Sequence, residues 1–495
     1  MSLGENPRPK PRFDEQFKKL QISSMEKQEL PSWRDCCIYR VPKTLRKIKP
    51  EAYTPRLISL GPLKTPLQER TDEPPVQDET VKMETVKLKY LEKFYERTER
   101  NLEELLKIVE KEEERIRRCY EEIDVKGDVF RKRILVDSVF IIELFLKEKQ
   151  PKKHVDDFIV GKPWLRTAVQ EDLILLENQL PYFILDELYK YAFANASPQY
   201  PTFQELVELY FENYLRPTNG NYETLSCDCC SWFYCFWLNK CRWCQNSSNQ
   251  NQEETTEYIP RPFPPLHFTD LIRWQLLQKH PHPYSENTQN ENQQSSPQHC
   301  IDIISSCCQS RGSKKKVKYV FSATKLNDAG VTFKAPETGW PLDITFKDGV
   351  LSMPSLAIQD STECLFRNLM AFEQCHYPSK AYICNYIRFI DCLIDTDKDV
   401  DFLIDKGILV NWLGDSKMVA ELFNDLCKEI IEDEFCFETI RQKLYDHYGN
   451  CWYRTVAIMK HVYFGNIFRG SGTIVAIMLL IFTLIQSINS LMEIF

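Results

Sequence analysis

The residues whose type and spacing best suit chemistry are four cysteines, Cys227-x2-Cys230 and, ten residues on, Cys241-x2-Cys244. Two such knuckles can present four thiolates to one tetrahedral Zn2+, which makes a closed structural site rather than a catalytic one. Cys229 and Cys235 stand among them, and the stretch between is unusually aromatic, WFYCFWL. A cysteine-rich apolar insertion, S-acylated or resting on a membrane interface, accounts for the same residues. The expectation is that no metal or other cofactor is bound, with zinc on Cys227, Cys230, Cys241 and Cys244 as the alternative.

Other constellations carry less. Asp395-x-Asp397-x-Asp399-x-Asp401 has the spacing of a calcium loop. Such a loop needs Gly at its sixth position and a bidentate Glu at its twelfth. Val400 and Lys406 stand there, so the run reads as the acidic start of a helix, where carboxylates face the positive end of the dipole. Cys375 and His376 are adjacent in sequence, which does not by itself aim a base at a nucleophile. Glu143 and Glu177 sit among apolar helix residues, surroundings that perturb an acid; buried carboxylates satisfied by Arg or backbone explain them equally. The chain has 8 His and no G-x-S-x-G, P-loop or G-x-G-x-x-G. No catalytic residue is assigned, and the expectation is a protein that is not an enzyme.

The elements that must position these residues follow from pattern and composition. The 495 residues carry 63 Lys+Arg against 71 Asp+Glu, a net charge of −8, which argues against a nucleic-acid partner that needs a dense cationic face. Pro at 28 outnumbers Gly at 15, suiting helices broken by stiff loops. The N-terminal 16 residues, MSLGENPRPKPRFDEQ, contain no apolar signal region, so most of the 19 Cys are expected to be reduced. The sequons at Asn195 and Asn246 do not outweigh that. Residues 1–34 read as a disordered N-terminus, and 35–226 as an N-terminal helical part. Within it, Val81 to about Glu122 repeats apolar residues at helical spacing, and Ile134–Leu146 is a core helix, too short to span a bilayer. Helical pattern continues over Asp172–Tyr191, with Pro181 ending or kinking a helix. Residues 227–310 form a Cys-rich and Asn/Gln-rich variable insertion holding one helical island, Leu266–Gln278. Residues 311–469 are a C-terminal part with a hairpin over Pro341–Ile358, turning at Asp348-Gly349.

From Gly470 to Met492 there are 23 residues without a charge, roughly 34 Å of helix and enough to cross a bilayer. Arg454, Lys460 and Arg469 precede it and only Glu493 is charged after it, which keeps the bulk of the protein on the cytosolic side. The expectation is therefore a single-pass, tail-anchored membrane protein. Its fold class is mainly α: a helical body with a small β hairpin, a disordered polar insertion and a C-terminal transmembrane helix over 470–492.

Several blocks then identify a family. Arg40-Val-Pro, Tyr53-Thr-Pro55, Ser59-Leu-Gly-Pro62, Met83-Glu-Thr-Val-Lys87, Asp137-Ser-Val-Phe-Ile-Ile-Glu143 and Asp172-Leu-Ile-Leu-Leu-Glu-Asn-Gln-Leu-Pro181 stand in the family's order. Ala323-Thr-Lys-Leu-Asn-Asp-Ala-Gly-Val331, Phe366-Arg-Asn-Leu-Met-Ala-Phe-Glu-Gln374 and Gly407-Ile408 follow. Together they resemble the plant-specific family called domain of unknown function 247, over roughly residues 35 to 490. Many members continue the Gly-Pro turn with Tyr and paired His, where this chain has Leu63-Lys64. The resemblance implies a plant membrane protein of unassigned biochemistry. Some members are associated with grass pollen self-incompatibility, which implies recognition rather than catalysis. The partners expected are the lipid bilayer, through 470–492, and proteins not identified by the sequence. The rival reading is a membrane-tethered enzyme of unrecognised type.

Overall fold

The computed structural model describes residues 35–63, 77–123, 125, 127–194, 200–211, 264–277, 321–336, 342–431, 435–450, 455 and 467–492. The disordered N-terminus expected over 1–34, most of the insertion and the cysteine knuckles lie outside them. In chain order the helices are α1 (Lys43–Ile48), α2 (Gln77–Thr98), α3 (Leu102–Lys111), α4 (Glu113–Arg118), α5 (Gly127–Glu148), α6 (Pro163–Asp172), α7 (Tyr182–Ala192) and α8 (Phe203–Tyr210). Then come α9 (Phe268–Leu277), α10 (Ala323–Asp328), α11 (Thr362–His376), α12 (Tyr382–Leu393), α13 (Asp397–Asp405), α14 (Ser416–Leu426), α15 (Glu438–Gly449) and α16 (Ile467–Met492). Five three-residue strands intervene: β1 (Thr332–Lys334), β2 (Thr345–Lys347), β3 (Val350–Ser352), β4 (Leu356–Ile358) and β5 (Leu409–Asn411). The chain is mainly helical with small sheets, as its periodicity predicts.

Helix α5 is the axis of the N-terminal half. Over Ile134–Leu146 it is mostly apolar and buried, with Ile134, Val139, Phe140, Ile141, Ile142 and Leu144 at 0% exposure, like Phe130 before them, and α2, α3, α7 and α8 pack around it. A helical stretch this apolar must be enclosed, so the core reading of Ile134–Leu146 holds. In the C-terminal half α11 meets α9, α12 and α14, and α13 lies on α14 and α10. Buried residues of both halves form one continuous core. Helix α9, the expected island, belongs to it: Phe268 and Ile272 are at 2% and 0% exposure.

The hairpin is found, smaller than expected. Strands β2 and β3 pair antiparallel, Phe346 facing Leu351. Asp348 and Gly349 turn at φ 51 and 77, the two left-handed residues that a hairpin matching the strand twist requires. The expected range ran on to Ile358, but β4 leaves the hairpin and pairs parallel with β5, and β1 adds to β3 in parallel. The helix read over Val81–Glu122 is three helices. Glu99 takes φ 51, and the Asn101 side chain accepts from Glu103 N at 2.9 Å and restarts the helix. Helix α6 stops at Asp172, so 173–181 is irregular backbone rather than helix, and Pro181 caps α7.

Helix α16 contains the expected span. Among the described residues no helix is long and apolar enough to cross a membrane, so the expected transmembrane segment finds no support in the fold.

Candidate functional site

Residues 36–63 run over the body as an N-terminal strap, mostly without regular structure. Backbone buried outside a helix or sheet must find other partners for its N–H groups. Here side chains supply them. Glu177 accepts from Val41 N at 2.6 Å, and Asp172 from the amides of Arg56, Leu57 and Ile58, each at 2.8 Å. Asn178 Oδ1 accepts from Leu60 N at 2.6 Å and Asp137 Oδ2 from Gly61 N at 2.9 Å. Asn368, on α11, donates to Ala52 O at 2.8 Å and accepts from Leu176 N at 3.0 Å. Under the strap, Tyr39, Val41, Leu45 and Tyr53 pack on Leu176, Ala371 and Phe372 as a second apolar cluster. Most of the blocks that carry the family resemblance, scattered along the chain, meet here.

The electrostatics match that role. Lys87 Nζ donates to Asp137 Oδ1 at 2.7 Å and to Ser59 O at 2.6 Å. Burial lowers the Lys87 ammonium, but Asp137 and Glu84 outweigh it and hold it above its ordinary range. Burial raises the Asp137 carboxyl, opposed by Lys87 and the Gly61 amide. Asp172 is pushed up to about 7 by burial, against the three amides it holds. Across the other half, Arg273 Nε meets Glu373 at 2.8 Å, and burial raises Glu373 despite Arg273.

The two acids singled out by sequence are both buried and both engaged. Glu143 takes a two-pronged contact from Arg97, at 2.9 Å on each oxygen. Glu177 holds Val41 N and, at 2.8 Å, Arg46. The two sit in different contacts, and each anchors a segment instead of facing an open cleft. Cys375 and His376 end α11. Burial pushes the Cys375 thiol up to about 12 and lowers His376. The His376 Nδ1 lies 2.9 Å from the Tyr39 hydroxyl, which itself donates to Cys36 O at 2.8 Å. The ring is thus held by Tyr39 and stacked on Phe372, and a thiol this hard to ionise is a poor nucleophile. Cys375 lines a surface depression of about 360 Å3 with Tyr39, Arg40, Val41, Pro42, Lys43 and Glu121.

The aspartate run opens α13 as read. Asp399 accepts from Thr324 N and Oγ1 at 3.0 and 2.7 Å and from the amides of Asp395 and Thr396. Cys227, Cys230, Cys241 and Cys244 lie outside the described residues. Among the described residues no three His, Cys, Asp or Glu are grouped to hold a metal ion.

Sequence reasoning missed the partners of these acids. Lys87 and Asp137 each put a charge on an otherwise apolar helix face, which is the available signal. Arg273 and Asn368 had no local signal. A different surface remains at α16, where residues 474–486 are all exposed, with Leu479, Leu480 and Phe482 at 61, 62 and 64%.

No solved structure matches the chain. Over 464 residues it is 26% identical to the UPF0481 protein At3g47200 of Arabidopsis thaliana, covering 91% of this chain and 85% of that one. It is 23% identical over 434 residues to the putative UPF0481 protein At3g02645 of the same plant, covering 79% and 78%. The family DUF247, described as plant protein of unknown function, matches residues 38–482, nearly all of the strap and body, and to that family the chain belongs.

Proposed function

We propose that this is a non-enzymatic interaction protein held at a membrane by its C-terminal helix, its body presented to protein partners on the cytosolic side. The observation that carries the reading is α16. Ile474, Val475, Ile477, Met478, Leu479, Leu480, Ile481, Phe482, Leu484 and Ile485 are each about half exposed or more, all round one helix. An apolar surface of that extent needs a membrane or a partner, since each Å2 left in water forgoes about 25 cal/mol. The cationic residues Arg454, Lys460 and Arg469 before it favour a cytosolic body. The non-enzymatic part draws on the strap, whose buried acids are taken up in holding backbone. Recognition fits such a body, rigid in its core and long in its polar insertion.

Alkaline carbonate extraction of membranes from cells expressing the full chain tests this. The protein is expected in the pellet, and Leu479→Lys with Phe482→Lys is expected to move it to the supernatant. Release of the unaltered chain by carbonate would overturn the reading.

A further inference from the structure

The Cys119 carbonyl accepts from the amides of both Cys37, at 2.9 Å, and Ile38, at 2.8 Å, while Ile38 O accepts from Glu121 N at 3.1 Å. The strap and the residues after α4 therefore run side by side, bridged in parallel at Ile38 and Tyr120. That pairing sets the two cysteines against each other. With Cys37 N and Cys119 O 2.9 Å apart, bond lengths confine the two Cα atoms to within about 6.8 Å. Disulfides form at Cα separations of about 4.4–6.8 Å. The Cys119 thiol donates to Arg115 O at 3.4 Å, neither cysteine is in a disulfide, and they are 3 and 9% exposed.

We propose that Cys37 and Cys119 are a redox pair that closes to a disulfide under hydrogen peroxide and reopens under thiol, pinning the N-terminal strap to the end of α4. The roles divide by environment. Cys37 holds the Cys119 thiol below its ordinary range, against burial and with help from Arg115; Cys119, with burial, holds Cys37 well above. Cys119, the more exposed of the two at 9% against 3%, is the attacking sulfur. It takes one peroxide oxygen, the O–O bond breaks, and the released hydroxide collects the proton that Cys119 gave up, leaving a sulfenic acid and one water. The Cys37 sulfur then attacks the Cys119 sulfur; the S–OH bond breaks, and the hydroxyl leaves with the Cys37 proton as a second water. Two electrons pass from the sulfur pair to one peroxide, which becomes two waters. Cys36 and Cys375, the neighbouring thiols, are pushed up to about 11 and about 12 by burial and do not compete as nucleophiles.

The full-length protein in detergent micelles is exposed to hydrogen peroxide, its remaining thiols alkylated, and its peptides mapped by mass. The expected result is a linked pair joining the Cys36-Cys37 peptide to the Cys119 peptide, reversed by dithiothreitol. It should persist in Cys36→Ser, which assigns the bond to Cys37, and vanish in Cys119→Ser. Because the linkage is mapped in the unaltered chain, a Cys119→Ser variant that failed to fold would not decide the matter. Full alkylation of Cys37 and Cys119 after peroxide, or a linkage running through Cys36 or Cys375, would overturn the proposal.

Discussion

Lys87 Nζ and Asp137 Oδ1 meet at 2.7 Å with both side chains 2% exposed, and together they grip two residues of the strap. The ammonium holds the Ser59 carbonyl while the carboxylate holds the Gly61 amide. An ion pair in such a place contributes less through its own attraction than it costs when halved, because the survivor is left charged in a dry interior.

Lys87→Met should therefore lower stability by about 3–5 kcal/mol, as for other buried pairs robbed of one partner. Glu84→Gln, which removes the half-exposed third member, should cost less than about 1 kcal/mol. Denaturant titration of the full-length protein in detergent measures both, and equal losses would show that burial does not govern the cluster.

Gly61 adopts φ +70, and a Cβ there would stand 2.9 Å from Gln179 O. Gly61→Ala should cost about 1–3 kcal/mol for a strained backbone, with displacement of the 173–181 segment in addition. Gly127 has φ +62 but nothing within 4 Å, so Gly127→Ala isolates the torsional part, about 1–2 kcal/mol. A smaller loss at Gly61 than at Gly127 would contradict the close approach.

Burial raises Asp399, but the hydrogen bonds from Thr324 and Thr396 outweigh it and hold its carboxyl below the ordinary value. A carboxyl lowered by folding contributes stability above its unfolded pKa of about 3.9 and loses it as pH falls through the folded value. The melting-temperature gap between the parent and Asp399→Asn should be full at pH 7 and narrow below about pH 4. A gap that widens on acidification would reverse the sign assigned here.

Protease added to sealed microsomes should digest everything before Arg469 if the body is cytosolic. Protection of the body, or glycans on Asn195 or Asn246, would put it on the other side.

Full-length protein purified without chelator should carry no stoichiometric zinc. One zinc per chain that survives dialysis, lost in Cys241→Ser with Cys244→Ser, would instead assign a four-thiolate ribbon.

What the sequence made legible was local. The Asp348-Gly349 turn depends on two adjacent residues, and the α5 core on an apolar run broken only by Asp137, Ser138 and Glu143, so both could be read from short windows. The Asp397 helix start was equally plain. The parallel pairs β1–β3 and β4–β5 were not, since three-residue strands lie below any periodicity and their partners are far along the chain. What holds the strap was not legible for the same reason: Asp172 ends α6 as its pattern allows, and nothing near it in sequence shows that its carboxylate stands in for a sheet partner. Arg273 reaches Glu373 across 100 positions, and no window contains both.

The strap also constrains how the molecule can be made. Its Ala52 carbonyl waits for Asn368, 316 residues later, and its Val41 amide for Glu177, 136 later. On the ribosome, the earliest described segment to emerge thus waits for some of the later ones to be fastened. Contacts of such separation close slowly, and until α11 is synthesised Tyr39, Tyr53 and their apolar cluster have no lid. A nascent chain halted short of residue 368 would expose that cluster for as long as it stayed halted, an open target for chaperones and proteases at a stage when the helices around α5 could already be packed.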